Sequence, residues 1–285
     1  IKCNVYGGIA AYAVHVPFCA NVTGLGTVIN GGGVKEAIVL RMYKMGLKGA
    51  QRVFFQNEEN KKFMTEKGIV TALETVLPGS GVNLKVHCFE PYPEENKGIV
   101  FSYIGRIMKD KGIDELLDAV KEVKKHYPSV TFRLIGFFDG AYEKKIKKAE
   151  KENMIVYIPQ QHDIHPWMAE SHAIIMPSYH EGMSNVLLEA AATGRPVLAS
   201  NIPGCREAFD KNSGIGFKTH SCVALVKAIE RFIILPYESK VAMGKAGRKK
   251  MEREFSRDIV VEKYMEEVKK AEEKESVHRT VSKFT

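Results

Sequence analysis

Apolar positions along the chain follow two rhythms. Short runs rich in apolar residues recur at 52–56, 99–104, 131–135, 154–158, 173–176 and 196–200, nearly continuous at 99–104. Runs of that length bounded by Gly, Pro or Asn read as buried strands. Between them the spacing turns helical. Ile113, Leu116, Leu117, Val120 and Val123 mark one face of a helix that Pro128 ends. Further helices are expected over 34–48, 142–152, 166–171 and 186–193. Another runs from a capping Asn57 to about Glu66, with Gly68 as its stop. Residues 5–14 fit two readings, a short signal-peptide core with its Ala11-x-Ala13, or a buried helix whose Gly and Ala residues permit close packing. The helix is the expectation, with a strand over 15–21 and a glycine-dense loop over 24–33 after it.

Strands separated by helices of roughly 10–15 residues indicate βαβ units and parallel sheets. The alternation stands on both sides of the polar, turn-prone stretch 92–98. The expected fold class is therefore α/β, with two facing, doubly wound, Rossmann-like parallel-sheet domains and a linker ending near residue 97.

Composition narrows this little. The chain has 285 residues, 45% hydrophobic and 27% charged, with 24 Gly and 11 Pro, which excludes a disordered or collagen-like chain. The five cysteines are odd in number and lack any Cys-x-x-Cys pair, which argues against a disulfide framework or a structural zinc site and for a reducing cytosol. No run of eighteen apolar residues occurs.

The net charge is +8, split as +3 over residues 1–98 (11 Lys/Arg, 8 Asp/Glu) and +5 over the rest (31 and 26). It permits an anionic partner without naming one. Nucleic acid is not expected, since no RNP stretch or zinc finger is present. The helix over 34–48 carries Lys35, Arg41, Lys44 and Lys48 against only Glu36, with Arg52 just beyond. It reads equally as a solvated helix or as a face for anionic lipid through Arg41, Lys44 and Lys48.

In open parallel sheets, ligands bind beyond the carboxyl ends of the strands. Three such loops carry unusual residues. In Gly105-Arg106-Ile107-Met108-Lys109-Asp110-Lys111-Gly112, Arg106 directly follows a strand and Lys111 opens a helix. An Arg fork and a Lys point charge suit linked phosphates, although a basic loop can also be merely solvated. In the loop from Pro177, Glu181, Gly182, Met183, Ser184 and Asn185 lead into a helix carrying Val186, Leu187 and Glu189. Backbone N–H groups at a helix start favour an anion. Glu189 has apolar neighbours all round, so an acid there is costly without a partner. The third loop, Asn201-Ile202-Pro203-Gly204-Cys205-Arg206-Glu207, again places Gly and charge at a strand end.

Glu181 and Glu189, separated by seven residues, resemble the paired-glutamate motif of retaining family 4 glycosyltransferases of the GT-B fold. Gly105-Arg106 with Lys111-Gly112 looks like that family's diphosphate-binding Arg and Lys. Ala192-Thr193-Gly194-Arg195-Pro196-Val197, Pro203-Gly204-Cys205-Arg206-Glu207 and Pro78-Gly79-Ser80-Gly81-Val82-Asn83 follow its usual wording. Thr23-Gly24-Leu25-Gly26-Thr27 resembles members that build capsule, O-antigen or lipid-linked glycans. Pro159 departs from the pattern, standing where the family often has Gly beside the nucleotide base.

The resemblance implies a partial acceptor-side domain over 1–97 and a nucleotide-sugar domain over 98–255. A terminal helix crossing back to the first domain, with a charged tail, is implied over 256–285. It also implies that the family's first strand and Gly-rich loop would precede Ile1. With no initiator Met, the expectation is a fragment lacking roughly half of its first domain.

The implied activity is a retaining hexosyltransferase. It would move a hexose or N-acetylhexosamine from a nucleotide diphosphate sugar, with uridine as the family-weighted base, to a lipid-linked or saccharide acceptor in capsular or lipopolysaccharide synthesis. Arg106, Lys111 and Glu181 take the catalytic roles. Gly105, Gly182, Met183, Ser184, Asn185, Val186, Leu187 and Glu189 bind the donor, and Glu189 meets the ribose diol. No Asp-x-Asp occurs, which argues for metal-independent transfer and no cofactor. His162, Asp163 and His165 superficially suggest metal ligands but also read as a capped helix start. A cytoplasmic location, peripheral on the inner membrane face, follows. The alternatives are a GT-B sugar phosphorylase or epimerase, or an inactive donor-binding fragment. A dinucleotide oxidoreductase is disfavoured, because Gly31-Gly32-Gly33 lacks the Gly-x-Gly-x-x-Gly spacing.

Overall fold

A computed structural model of the chain describes residues 1–25, 33–138 and 142–281, with side chains up to Lys270. Residues 26–32 of the glycine-dense loop, including Gly26 and Thr27, therefore lie outside the described residues. Two compact units form, one from Ile1–Gly81 with the segment from Arg257 on, the other from Val82–Ser256. Among the described residues, no helix is long and apolar enough to cross a membrane.

The first unit contains a parallel sheet of β1 (Cys19–Val22), β2 (Arg52–Phe55) and β3 (Leu73–Val76), in that order. Its helices are α1 (Gly8–Ala13), entered through a wide turn at Cys3–Gly7, α2 (Gly33–Gly46) and α3 (Glu58–Glu66). The Asn57 side chain accepts from the Asn60 amide at 2.8 Å, which supplies the N-cap of α3. The amino-terminal helix is held by close approach rather than by wholesale burial. A Cβ on Gly8 would lie 1.8 Å from the Gly46 carbonyl oxygen, while Ile9, Tyr12 and Val14 stay exposed.

The expected strand over 15–21 begins only at Cys19. His15 turns left-handed at φ 58° and the Val16 amide bonds back to Ala11, so the chain has not yet extended there. Along β2 the strand period of two sorts the side chains. Val53 and Phe55 join the core beneath α2 and α3, whereas Phe54 faces the opposite way with Leu77. There α10 (Arg257–Val281) covers it through Val260 and Tyr264, whose ring centroid is 4.7 Å from that of Phe54. Asn21 donates to the Tyr264 hydroxyl at 2.5 Å, and Arg52 pairs with Glu267 at 2.8 Å.

The second unit holds six parallel strands: β4 (Val100–Ile104), β5 (Thr131–Ile135), β6 (Val156–Ile158), β7 (Ala173–Met176), β8 (Val197–Ser200) and β9 (Gly214–Phe217). Their order is β6-β5-β4-β7-β8-β9. The first three run outward from β4 and the last three run outward from β7, which is the doubly wound arrangement. Its strand order reverses between β4 and β7. The helices are α4 (Ile113–His126), α5 (Tyr142–Lys151), α6 (His165–Ala169), α7 (Asn185–Ala192), α8 (Cys222–Ile233) and α9 (Tyr237–Lys250). The five apolar positions that announced α4 are all buried in it. The hydrophobic pattern does not announce β9, because Gly214 and Gly216 read as turn residues. A Cβ on Gly214 would lie 2.7 Å from the Val197 carbonyl, so glycine lets this edge strand close on β8.

The expected break at residue 97 moves to Gly81. Residues 82–97 belong to the second unit because polar groups fasten them to it. The Val82 amide donates to Phe255 at 2.8 Å, and Val82 bridges to Ser256. The Glu90 amide donates to Thr193 at 3.1 Å, and the Tyr92 hydroxyl donates to His172 at 3.0 Å. Buried Lys240 reaches Glu95 at 2.8 Å. Arg195, only 1% exposed, donates to the carbonyls of Glu90 and Pro91 on one side and of Met168 and Ala169 on the other. Burial pulls its ionisation down to about 10. A turn-rich composition marked flexibility in isolation, but these partners convert the stretch into a strap.

Candidate functional site

The loops after β4, β7 and β8 meet at the point where strand order reverses, the usual crevice of an open α/β sheet. After β4, Gly105 adopts φ 151°, where L side chains are strained. The buried Tyr103 hydroxyl donates to the Arg106 carbonyl at 2.6 Å and fixes the backbone from which the exposed Arg106 side chain departs. Burial, and secondarily the nearby Glu181 carboxylate, pushes the Tyr103 phenol well up, so it stays a neutral donor. Arg106 has no ion pair among the described residues.

Lys111 closes a short 3-10 turn, Lys109–Lys111, and is followed by left-handed Gly112 at φ 68°. The loop after β7 docks directly on this turn, with the Tyr179 amide donating to Asp110 at 2.9 Å. The Tyr179 hydroxyl donates to Glu115 of α4 at 2.7 Å. This docking brings Lys111 Nζ to 2.5 Å from Glu181 Oε1, across seventy residues of sequence. The third loop buttresses the second. Gly204 (φ 80°) packs so closely that a Cβ there would lie 2.6 Å from both the Glu181 and Gly182 carbonyl oxygens. Its own carbonyl accepts from the Ser184 amide at 2.8 Å. Cys205 is fully buried behind it, and burial pushes its thiol up.

The loops after β4 and β7 border a cavity of about 240 Å³ lined by Gly105, Arg106, Lys111, Glu181, Met183, Ser184, Asn185 and Val186, together with Tyr103, Ile104 and Met176 of the strand ends. Two cations and one carboxylate leave it net positive, which suits an anion. The start of α7 adds Asn185 and Val186 to the lining. The Ser184 amide is taken by Gly204 and the Leu187 amide by Ser184, so neither is offered to the cavity.

Three expected donor-binding residues do not line the cavity. Gly182 supports Gly204, and Leu187 is fully buried in the core. Glu189 lies further along α7, with Oε1 3.7 Å from His87 Nε2 and a side chain 22% exposed. His87 is one partner of Glu189, and no sequence spacing links the two. Tyr103 and Tyr179 were likewise invisible in the sequence, because their contribution is a hydroxyl placed by tertiary contact.

The Asp163 side chain accepts from the His165 amide at 3.0 Å where the chain enters α6, whose N-cap position, Ile164, has no side-chain cap, and His162 is exposed. In the first unit, Arg41, Lys44 and Lys48 line a groove of about 550 Å³ together with Leu40, Met45 and Ile69. Arg52 does not extend this basic face, because Glu267 holds it.

Comparison with known proteins bears on the family and the fold. The chain is 26% identical to the Campylobacter jejuni N,N'-diacetylbacillosaminyl-diphospho-undecaprenol alpha-1,3-N-acetylgalactosaminyltransferase, over 93% of this chain and 73% of that protein. It is 28% identical to the Staphylococcus aureus capsular polysaccharide biosynthesis glycosyltransferase CapM, over 59% of this chain but only 45% of CapM. Among solved structures, Anabaena HepE in complex with UDP superposes with a TM-score of 0.82 at 18% identity, over 94% of this chain and 76% of HepE. The fold is that of the GT-B glycosyltransferases. The family model described as "Glycosyl transferases group 1" matches residues 88–250, more than half of the chain, and the chain belongs to that family.

Proposed function

We propose that the cavity between the β4 and β7 loops holds the diphosphate of a nucleotide sugar, and that the protein transfers the sugar with retention of anomeric configuration. The observation that carries this reading is the convergence of Arg106 and Lys111 on one cavity at the start of α7. In such a transfer the sugar becomes oxocarbenium-like while negative charge builds on the departing diphosphate. The Arg106 guanidinium can grip phosphate oxygens bidentately, and Lys111 supplies a compact charge already oriented by Glu181. The second Glu181 oxygen is available to a sugar hydroxyl. Glu189, beside His87, is assigned to the ribose diol. Because the chain's own cations offset the diphosphate charge, the transfer is proposed to run without a divalent ion.

The donor is proposed to be a UDP-sugar, which the UDP complex of HepE supports. The acceptor is proposed to be a lipid-linked glycan of a surface polysaccharide, capsular or lipopolysaccharide, as the names of the Campylobacter and Staphylococcus relatives suggest. Such an acceptor sits at a membrane, and the basic groove of Arg41, Lys44 and Lys48 is the surface proposed to rest on anionic lipid at the cytoplasmic face. Calorimetric titration with UDP tests the donor site. Arg106→Ala and Glu189→Ala should each weaken binding, and wild-type affinity in both would overturn the assignment. Nuclear magnetic resonance of the product's anomeric proton tests retention.

A further inference from the structure

We propose that Cys88, Glu90 and His165 form a binding site for a zinc-class divalent ion, separate from the sugar-transfer cavity. Cys88 Sγ lies 3.6 Å from His165 Nε2 and 3.3 Å from Glu90 Oε1, and the last two atoms are 4.0 Å apart. Bond lengths of about 2.3 Å to sulfur and about 2.0–2.2 Å to nitrogen and oxygen, at tetrahedral angles, require separations of roughly 3.5 Å from sulfur and roughly 3.3 Å between nitrogen and oxygen. Two edges of the triangle already match. The third closes by a rotation of the partly exposed Glu90 side chain.

The donor set selects the ion. A thiolate, an imidazole and a carboxylate suit Zn²⁺ or Co²⁺, whereas Mg²⁺ and Ca²⁺ take oxygen ligands. Three protein ligands leave a fourth position for water.

The backbone around Glu90 and His165 is held by other groups, and the Cys88 carbonyl lies 3.3 Å from His165 Nε2 itself. Arg195 donates from Nη1 to the Glu90 carbonyl, from Nη2 to those of Pro91 and Ala169, and from Nε to that of Met168, the last two at the end of the helix that His165 begins. Asp163 fixes the His165 amide, and Thr193 fixes that of Glu90. A site whose supporting contacts are already formed loses little entropy on binding. The Cys88 thiol now donates to Glu90. On binding, its proton leaves to solvent, the sulfur–metal bond forms, and the imidazole carries its proton on Nδ1 so that Nε2 is free to ligate. No electron is transferred.

Cobalt titration of the whole, metal-free protein under reducing conditions reads the site directly. One equivalent of Co²⁺ should produce a thiolate-to-cobalt charge-transfer band in the near ultraviolet, displaced by Zn²⁺ and not by Mg²⁺. Cys88→Ser should abolish the band. His165→Gln and Glu90→Gln should each weaken binding by at least about 10-fold, comparable to or beyond the loss of an outer hydrogen-bond partner. Cys222→Ser, on α8, should leave it unchanged. Circular dichroism confirms that each variant is folded. No band in the wild type, a band that survives Cys88→Ser, or one lost in Cys222→Ser would overturn the proposal.

Discussion

Gly112 stands where a Cβ would lie 2.1 Å from the carbonyl oxygen of Pro177. One residue thus couples the turn that carries Lys111 to the loop that carries Glu181. Gly112→Ala adds about 1–2 kcal/mol of left-handed strain to this collision and must push the two loops apart. The expected result is a melting temperature lowered by several degrees together with weakened UDP binding. Both are read by a thermal melt with and without UDP.

The proposed roles of the cavity charges predict that effects on binding and on turnover separate. Arg106→Ala is expected to cost about 1.5–3 kcal/mol of UDP affinity, the usual worth of hydrogen bonds to a charged group. Lys111→Met should lower kcat by roughly 100- to 1,000-fold if its charge meets the leaving diphosphate. Glu181→Gln should leave UDP affinity within a few-fold of wild type while lowering turnover. Calorimetry and steady-state kinetics on the three variants check this split.

Acid should weaken the second unit through His172. Its Nδ1 accepts from the Val100 amide at 3.0 Å, and its Nε2 lies 3.3 Å from the Glu94 carbonyl, an arrangement that needs the neutral ring. Burial holds its ionisation below the ordinary 6.5. The folded chain therefore binds this proton more weakly than the unfolded chain. Stability from this group is full above pH 6.5, falls as pH drops below it, and levels off below the folded value. Denaturant unfolding between pH 5 and about 7 should show a shallower pH slope in His172→Asn than in wild type.

The basic groove predicts a salt-sensitive membrane interaction. Each Lys or Arg near an anionic surface is worth about 1 kcal/mol. Replacing Arg41, Lys44 and Lys48 together by Gln should reduce binding to vesicles rich in phosphatidylserine by about 100-fold at low salt. Flotation assays read this, and binding unchanged by the substitutions would reject the surface.

Legibility of the fold tracked the scale of the interaction that decides each feature. Ala173–Met176 could be bounded from sequence because it is an apolar run stopped by Pro177, Thr131–Ile135 because its mixed run is stopped by Gly136, and α4 because its apolar stripe is unbroken. Asn57 was readable because a cap is a contact over three residues. Features set by distant partners were not readable. The strap over 82–97 depends on Arg195, Lys240 and Phe255, more than ninety residues away. Within the site, Arg106, Lys111 and Glu181 were nameable from their loops, and their shared cavity bears the same names. Glu189 was nameable too, but its contact with His87 and its place outside the cavity lining came only with tertiary structure.

The bridge between Val82 and Ser256 has a consequence for gene architecture. The second unit is one uninterrupted segment whose entry and exit residues are neighbours, so at the level of the gene it is a cassette inserted into its host unit. A segment with paired ends can be excised, permuted by a short linker from 256 to 82, or exchanged for that of a relative without redrawing the host's strand order. Swapping 82–256 between group 1 family members is therefore a natural route to chimaeras that exchange the second unit while keeping the basic groove.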